Sequence, residues 1–132
     1  MKTAYLDTSL VVAILLKEPG AERLSVTLDG YDMLFSSPLL EAELKSTLFR
    51  EKCDLTLSDL YLERLELVIA DRFLGKEIST ILNHYYLRGA DLYHLATALF
   101  VFPKPQEVVF LSLDQDQLKA AKACGFKTLN VK

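Results

Sequence analysis

The run Val108-Val109-Phe110-Leu111-Ser112 limits the fold more than any other stretch of the chain. Side chains in a strand point alternately to opposite faces of the sheet. A strand that is apolar at every position is therefore buried on both faces. That is the pattern of a parallel sheet interior, with helices packed above and below it. The rest of the chain has to supply the other strands and both helical layers.

It does so in order. A short apolar strand from about Thr3 to Asp7 passes at once into a helix carrying Leu10, Val11, Val12, Ile14 and Leu15. Glu18-Pro19-Gly20 breaks that helix near Lys17. A second helix runs from about Ala21 to Leu28, and Asp29-Gly30 turns the chain. Met33 to Ser36 reads as a second strand. Ser37-Pro38 then starts a third helix, with serine as cap and proline at the first helical position. A loop at Asp54 to Thr56 leads to a fourth helix capped by Ser58, and Glu66 to Ala70 reads as a short strand because Val68 and Ile69 are β-branched. A fifth helix spans about Lys76 to Tyr86, with Ile78, Ile81, Leu82 and Tyr85 facing inward. A very apolar helix starts near Asp91 and ends before Pro103 and Pro105. The strand at Val108 follows, then Asp114, a helix to about Cys124, a cap at Gly125, and a last strand from Thr128 to Val131. This alternation predicts a three-layer α/β/α sandwich with a mostly parallel sheet of four to five strands, in one domain over residues 1–132.

The 132 residues are 51% hydrophobic and 25% charged, a composition that supports a substantial core. No apolar run approaches the roughly 20 residues that span a bilayer, and no signal-peptide layout is present. The expectation is a cytoplasmic protein without a membrane segment. Cys53 and Cys124 lack the paired spacing of a metal site and read as free thiols.

Four acids share one placement: Asp7 after the first strand, Glu43 in the helix after the second, Asp91 opening the apolar helix, and Asp114 after the Val108 strand. A right-handed parallel arrangement brings the ends of all strands to one rim, where ligand crevices form. Each acid also has a plainer explanation. Asp91 and Asp114 sit at helix starts, where aspartate is a favoured cap. Asp7 could bond loop amides, and Glu43 could reach solvent or pair with Arg50. Within the third helix, however, a wheel of about 100° per residue places Glu43 between Leu39 and Leu40 on the apolar arc. Glu41 lies at the other margin, four residues before Lys45, in the favourable order for a surface ion pair. Glu43 thus needs a partner other than water.

Clustered carboxylates repel one another or take up protons unless a cation is present. An all-oxygen set favours Mg²⁺ or Mn²⁺. The corresponding chemistry is phosphodiester hydrolysis, leaving a 5′-phosphate and a 3′-hydroxyl. The net charge of −3 does not advertise nucleic-acid binding. Taking four site carboxylates out of it leaves +1 for the remainder of the chain.

The segments Tyr5-Leu6-Asp7-Thr8-Ser9, Ala42-Glu43-Leu44, Leu87-Arg88-Gly89-Ala90-Asp91 with Leu95-Ala96-Thr97-Ala98-Leu99, and Leu111-Ser112-Leu113-Asp114 together resemble the PIN-domain ribonucleases. They look most like the short VapC-type toxins of toxin–antitoxin pairs, in motif order and spacing over essentially the whole chain. The resemblance implies a PIN-like fold and Mg²⁺- or Mn²⁺-dependent endoribonuclease activity. It also implies an RNA substrate, a homodimer and an inhibitory antitoxin. Asp7, Glu43, Asp91 and Asp114 match the family's metal-binding catalytic acids, and Asp116 falls where some relatives carry a further acid. Thr8 and Ser9 match the small polar residues that support the first acid, and Ser112 stands where the family usually has threonine.

Other residues carry weaker signals. His94, three after Asp91, reads as a buried, hydrogen-bonded histidine, because the other donors are oxygens. Lys45, Arg50, Lys52 and Arg88 could hold RNA phosphates or simply be solvated. Tyr85, Tyr86 and Tyr93 could stack on bases or fill the core. Leu60, Tyr61, Leu65, Ile78 and Ile81 could form a groove for an antitoxin helix. Two rival classes fit less well. A receiver-type Mg²⁺-binding signalling domain wants paired acids near its first strand, and a haloacid-dehalogenase-type phosphatase wants an aspartate where Ser9 stands. A catalytically inactive PIN-like scaffold that binds RNA or protein is the remaining alternative.

Overall fold

A computed structural model describes residues 1–129. Its five strands are β1 (Thr3–Leu6), β2 (Met33–Ser36), β3 (Leu65–Leu67), β4 (Val109–Leu111) and β5 (Lys127–Thr128). Every pairing is parallel, and the spatial order is β3-β2-β1-β4-β5. Seven helices flank the sheet: α1 (Thr8–Leu15), α2 (Ala21–Asp29), α3 (Leu39–Arg50), α4 (Asp59–Arg64), α5 (Gly75–Leu82), α6 (Gly89–Val101) and α7 (Gln115–Ala123). The three-layer α/β/α sandwich expected from the sequence is what forms.

Strand alternation sorts the core into two layers. On one face Ala4, Leu6, Leu34 and Leu111 meet Leu10 and Val11 of α1, Leu24 and Leu28 of α2, and Leu40, Leu44 and Leu48 of α3. On the other, Tyr5 and Phe110 meet Ile81 of α5, Leu95 and Ala98 of α6, and Leu118 and Ala121 of α7. Each fully buried leucine contributes about 2 kcal/mol relative to exposure. The register sets Tyr5 beside Phe110, with their rings stacked at 5.5 Å. Gly125 has φ +103°, and the Gly125 N–H donates to Lys122 O while the Phe126 N–H donates to Ala121 O. This left-handed cap ends α7 and turns the chain into β5. A Cβ at Gly125 would stand 3.1 Å from Pro105 Cγ.

Several boundaries differ from expectation. The third strand begins at Leu65, directly at the end of α4, because Leu65 pairs with Leu34 and fills the core. Ile69, assigned to that strand for its β-branching, lies outside it and is exposed. Asp54, not Ser58, supplies the cap before α4: its Oδ1 accepts from the Thr56 N–H at 2.9 Å, opening a 3₁₀ turn at Leu55–Ser58. The Ser58 hydroxyl instead donates back to Leu55 O. The fifth helix closes at Leu82 because the His84 and Tyr85 N–H groups both turn onto Ile81 O. Leu82, expected to face inward, is exposed. The last strand was expected to reach Val131, and residues 130–132 lie outside the described residues. No helix among the described residues is long and apolar enough to cross a membrane.

The strand order has one consequence for function. The chain lays β1, β2 and β3 outward in one direction, then returns to place β4 on the other side of β1. The topological switch point lies between β1 and β4, where the loops leaving the sheet diverge and open a crevice.

Candidate functional site

Asp7 stands at that switch point. Its N–H donates to Leu111 O at 3.2 Å, so the chain is still tied to β4 when it leaves the sheet. The Asp7 side chain caps α1 and is 4% exposed. Two serines bracket it. The Ser9 Oγ donates to Asp7 Oδ1 at 2.6 Å and accepts from the Leu113 N–H at 3.0 Å. The Ser112 Oγ donates to Asp7 Oδ2 at 2.9 Å and accepts from the Asp114 N–H at 2.9 Å. Two amides of the β4 loop are thus relayed through hydroxyls onto the two oxygens of one carboxylate. A hydroxyl can donate once and accept at the same time, so serine performs this relay as well as threonine would. Burial nonetheless pushes the Asp7 carboxyl up to about 6, against the lowering pull of Ser9, His94 and Ser112.

Glu43 projects from α3 toward the same rim, and its partners are neither water nor Arg50. Its Oε1 accepts from the Thr8 Oγ1 at 2.7 Å and lies 2.8 Å from His94 Nε2. The short contact to a carboxylate assigns a proton to Nε2. The His94 hydrogen bond holds the Glu43 carboxyl below its usual range, against partial burial. His94 itself is 1% exposed, and its Nδ1 lies 3.5 Å from the Tyr5 hydroxyl. It is the buried, hydrogen-bonded histidine expected. Its particular task, orienting Glu43, could have been read from two features: its position three residues after Asp91 on the apolar helix, and the inward face of Glu43. The Glu41–Lys45 surface pair expected from the helix wheel is also present, at 2.5 Å.

Asp91 occupies the first turn of α6 without capping it. That helix is preceded by Arg88 in extended conformation, with no side-chain cap. The Asp91 carboxyl is raised first by burial, then by the charges of Asp114 and Glu43. Asp114 does cap its helix: its Oδ1 accepts from the Asp116 and Gln117 N–H groups at 2.9 and 3.1 Å. Both capping bonds fall on Oδ1, so capping does not use Oδ2. Asp116 is exposed and meets Asp114 through its backbone N–H. Among the proposed phosphate contacts, Lys45 is tied to Glu41 and Arg50 lies 3.4 Å from Glu51. Arg88 is exposed and makes no side-chain hydrogen bond or ion pair among the described residues. Gln117, which the sequence did not single out, is fully buried between α7 and the first turn of α6.

Among the described residues no Lys or Arg forms an ion pair with Asp7, Asp91 or Asp114. The carboxylate donors are all oxygen, and the charges of Asp114 and Glu43 bear on Asp91 while His94 faces Asp7 and Glu43; oxygen donors of this kind suit a hard divalent cation. The set is not closed around a point. Glu43 is turned onto Thr8 and His94, and among the described residues no three His, Cys, Asp or Glu side chains stand grouped to hold a metal ion. Two surface clefts lie elsewhere, around Glu18, Gly20 and Arg23. Being lined mainly by the α1–α2 turn, they contain none of these acids.

An acidic rim at the switch point of an all-parallel sheet places this chain among the α/β proteins whose ligand crevice opens at the carboxyl ends of the strands. The PIN domain family model matches residues 4–123, and the chain belongs to the PIN domain family. PIN domains are generally nucleases, hydrolases that cut phosphodiester bonds. A search of curated proteins found no match.

Proposed function

We propose that this protein is a Mg²⁺- or Mn²⁺-dependent endoribonuclease, the toxin of a toxin–antitoxin pair acting in the cytoplasm. The observation that carries the reading is the set of four acids at the β1/β4 switch point, with no Lys or Arg paired to Asp7, Asp91 or Asp114 among the described residues. Asp7, Glu43, Asp91 and Asp114 would hold the cation. When bound, it supplies Lewis-acid polarisation of the phosphoryl group and a water acidic enough to attack at neutral pH. The chain's own residues do the rest. Ser9 and Ser112 fix both oxygens of Asp7. Thr8 and His94 hold the Glu43 carboxylate ionised and oriented. The N-termini of α1 and α7, both beginning at the rim, are taken up by Asp7 and Asp114, whose ionised forms they favour. Arg88, exposed just before α6, supplies a phosphate contact that carries no base specificity.

The toxin role and the homodimer rest on the family resemblance. They are supported by apolar side chains left on the surface: Phe49 at the end of α3 and Leu60 on α4 are 77% and 73% exposed. Leu65 and Ile81, considered for an antitoxin groove, belong to the core instead. The free thiols of Cys53 and Cys124 accord with a reducing compartment. A non-catalytic RNA-binding scaffold is the second reading, favoured by the turn of Glu43 onto His94.

Incubation of the purified protein with single-stranded RNA separates the two. Cleavage is expected with Mn²⁺ or Mg²⁺, with 5′-phosphate and 3′-hydroxyl ends, and none in chelator. His94→Leu leaves Glu43 with Thr8 alone and is expected to lower kcat/KM by about 10- to 100-fold, the usual effect of losing a group that orients a ligand. Absence of metal-stimulated cleavage would leave the scaffold reading standing.

A further inference from the structure

Gln117 touches both acids of the α6–α7 corner. Its backbone N–H donates to Asp114 Oδ1 at 3.1 Å. Its side-chain Nε2 donates to the Asp91 carbonyl oxygen at 3.0 Å. One residue therefore holds the carboxylate of one acid and the backbone of the other. The side chain is wholly enclosed, and its Oε1 has no hydrogen-bond partner among the described residues. A buried, unpaired amide oxygen destabilises a fold, because it has given up its water without gaining a donor. An apolar side chain of the same length would avoid that penalty at this position. The amide works against stability where it sits, yet its one side-chain bond runs to the backbone of Asp91, at the corner where the Asp114 charge bears on the Asp91 carboxyl.

We propose that Gln117 is a positioning residue that ties the first turn of α6 to the first turn of α7, fixing the spacing of Asp91 and Asp114 for a divalent cation. The inference rests on the reading of the rim as a metal centre. Gln117 needs no contact with the cation or the RNA. It acts by stopping α6 from sliding along α7, a movement that would separate the two carboxylates.

The test uses the full chain and Mn²⁺ alone as probe, followed by electron paramagnetic resonance, with thermal unfolding measured in chelator. Gln117→Met keeps length and shape but removes the side-chain amide, both its N–H donors and its unpaired oxygen, and leaves the backbone bond to Asp114 in place. Gln117→Asn keeps the amide but is one methylene too short to reach Asp91 O. Both variants are expected to bind Mn²⁺ about 10- to 100-fold more weakly than wild type, as for other groups that orient ligands. Gln117→Met is expected to unfold at the wild-type temperature or above, because the unpaired oxygen is gone. A purely structural glutamine would instead lower the unfolding temperature and leave Mn²⁺ affinity alone, and that result would overturn the proposal. So would unchanged Mn²⁺ binding in Gln117→Asn. Wild-type protein that binds no Mn²⁺ would remove the metal-centre reading, and the inference with it. Wild-type binding with unaltered variants removes the inference alone.

Discussion

Asp7→Asn is expected to abolish RNA cleavage and to stabilise the metal-free protein. The loss should reach about 10³-fold or more in kcat/KM, because the most buried donor of the set becomes neutral. The gain in stability comes from the same burial. The Asp7 carboxyl titrates at about 6 in the folded chain and near 3.8 when unfolded. A raised acid favours folding while protonated, and that contribution is complete below the unfolded value. It is lost as pH rises through about 6, since the charged form is poorly solvated at a site 4% exposed. Near neutral pH the ionised group therefore opposes folding by up to about 3 kcal/mol, two units at 1.4 kcal/mol each. Asparagine removes the charge and keeps an acceptor for Ser9. The melting temperature in chelator should rise by about 5–10 °C at neutral pH, and should change little at about pH 4, where Asp7 is largely protonated. Scanning calorimetry at the two pH values checks this. An Asn variant less stable than wild type at neutral pH would mean that Asp7 is held by its serines more strongly than burial opposes it.

Millimolar Mn²⁺ should stabilise the wild-type protein strongly near pH 8 and hardly at all near pH 4. A ligand that binds only the folded state adds RT ln(1 + [L]/Kd), about 2.7 kcal/mol at a hundredfold excess over Kd. At the higher pH the cation also relieves the repulsion among Asp91, Asp114 and Glu43 that raises the Asp91 carboxyl. At the lower pH protons compete for the same oxygens. A thermal shift independent of pH would point to Mn²⁺ held by groups other than these carboxylates. Ca²⁺, which also prefers oxygen ligands, should reproduce much of the thermal shift.

The sequence disclosed the frame of this site and left out its fittings. The β2 strand at Met33–Ser36 was legible to the residue, because Gly30 and Pro38 punctuate it on both sides. Glu43 could be turned inward by its position between Leu39 and Leu40, and Glu41 outward by Lys45. The α4–β3 junction was not legible. Leu65 ends a helix and opens a strand with no turn residue between them, and only its pairing with Leu34 decides which it is. There tertiary pairing outweighed the β-branched signal of Val68 and Ile69. Asp114 read as either a cap or a member of the acidic set, and one-dimensional spacing cannot show that both capping bonds fall on Oδ1 alone. Gln117 gave no signal because its partner, the Asp91 carbonyl, is 26 residues away and on another helix. For the Glu43–His94 contact the sequence held two signals, the inward face of Glu43 and the place of His94 three residues after Asp91, but only the meeting of α3 and α6 joins them.

The central claim is that Asp7, Glu43, Asp91 and Asp114 hold a divalent cation at the β1/β4 rim. Crystals grown with Mn²⁺, with diffraction collected at the manganese absorption edge, test it most directly. An anomalous peak is expected within ligating distance of the Asp7 and Asp91 carboxylates, about 2.1–2.3 Å for oxygen donors of an ion of this class. An ordered rim without a peak, or a peak only at another part of the surface, would contradict it.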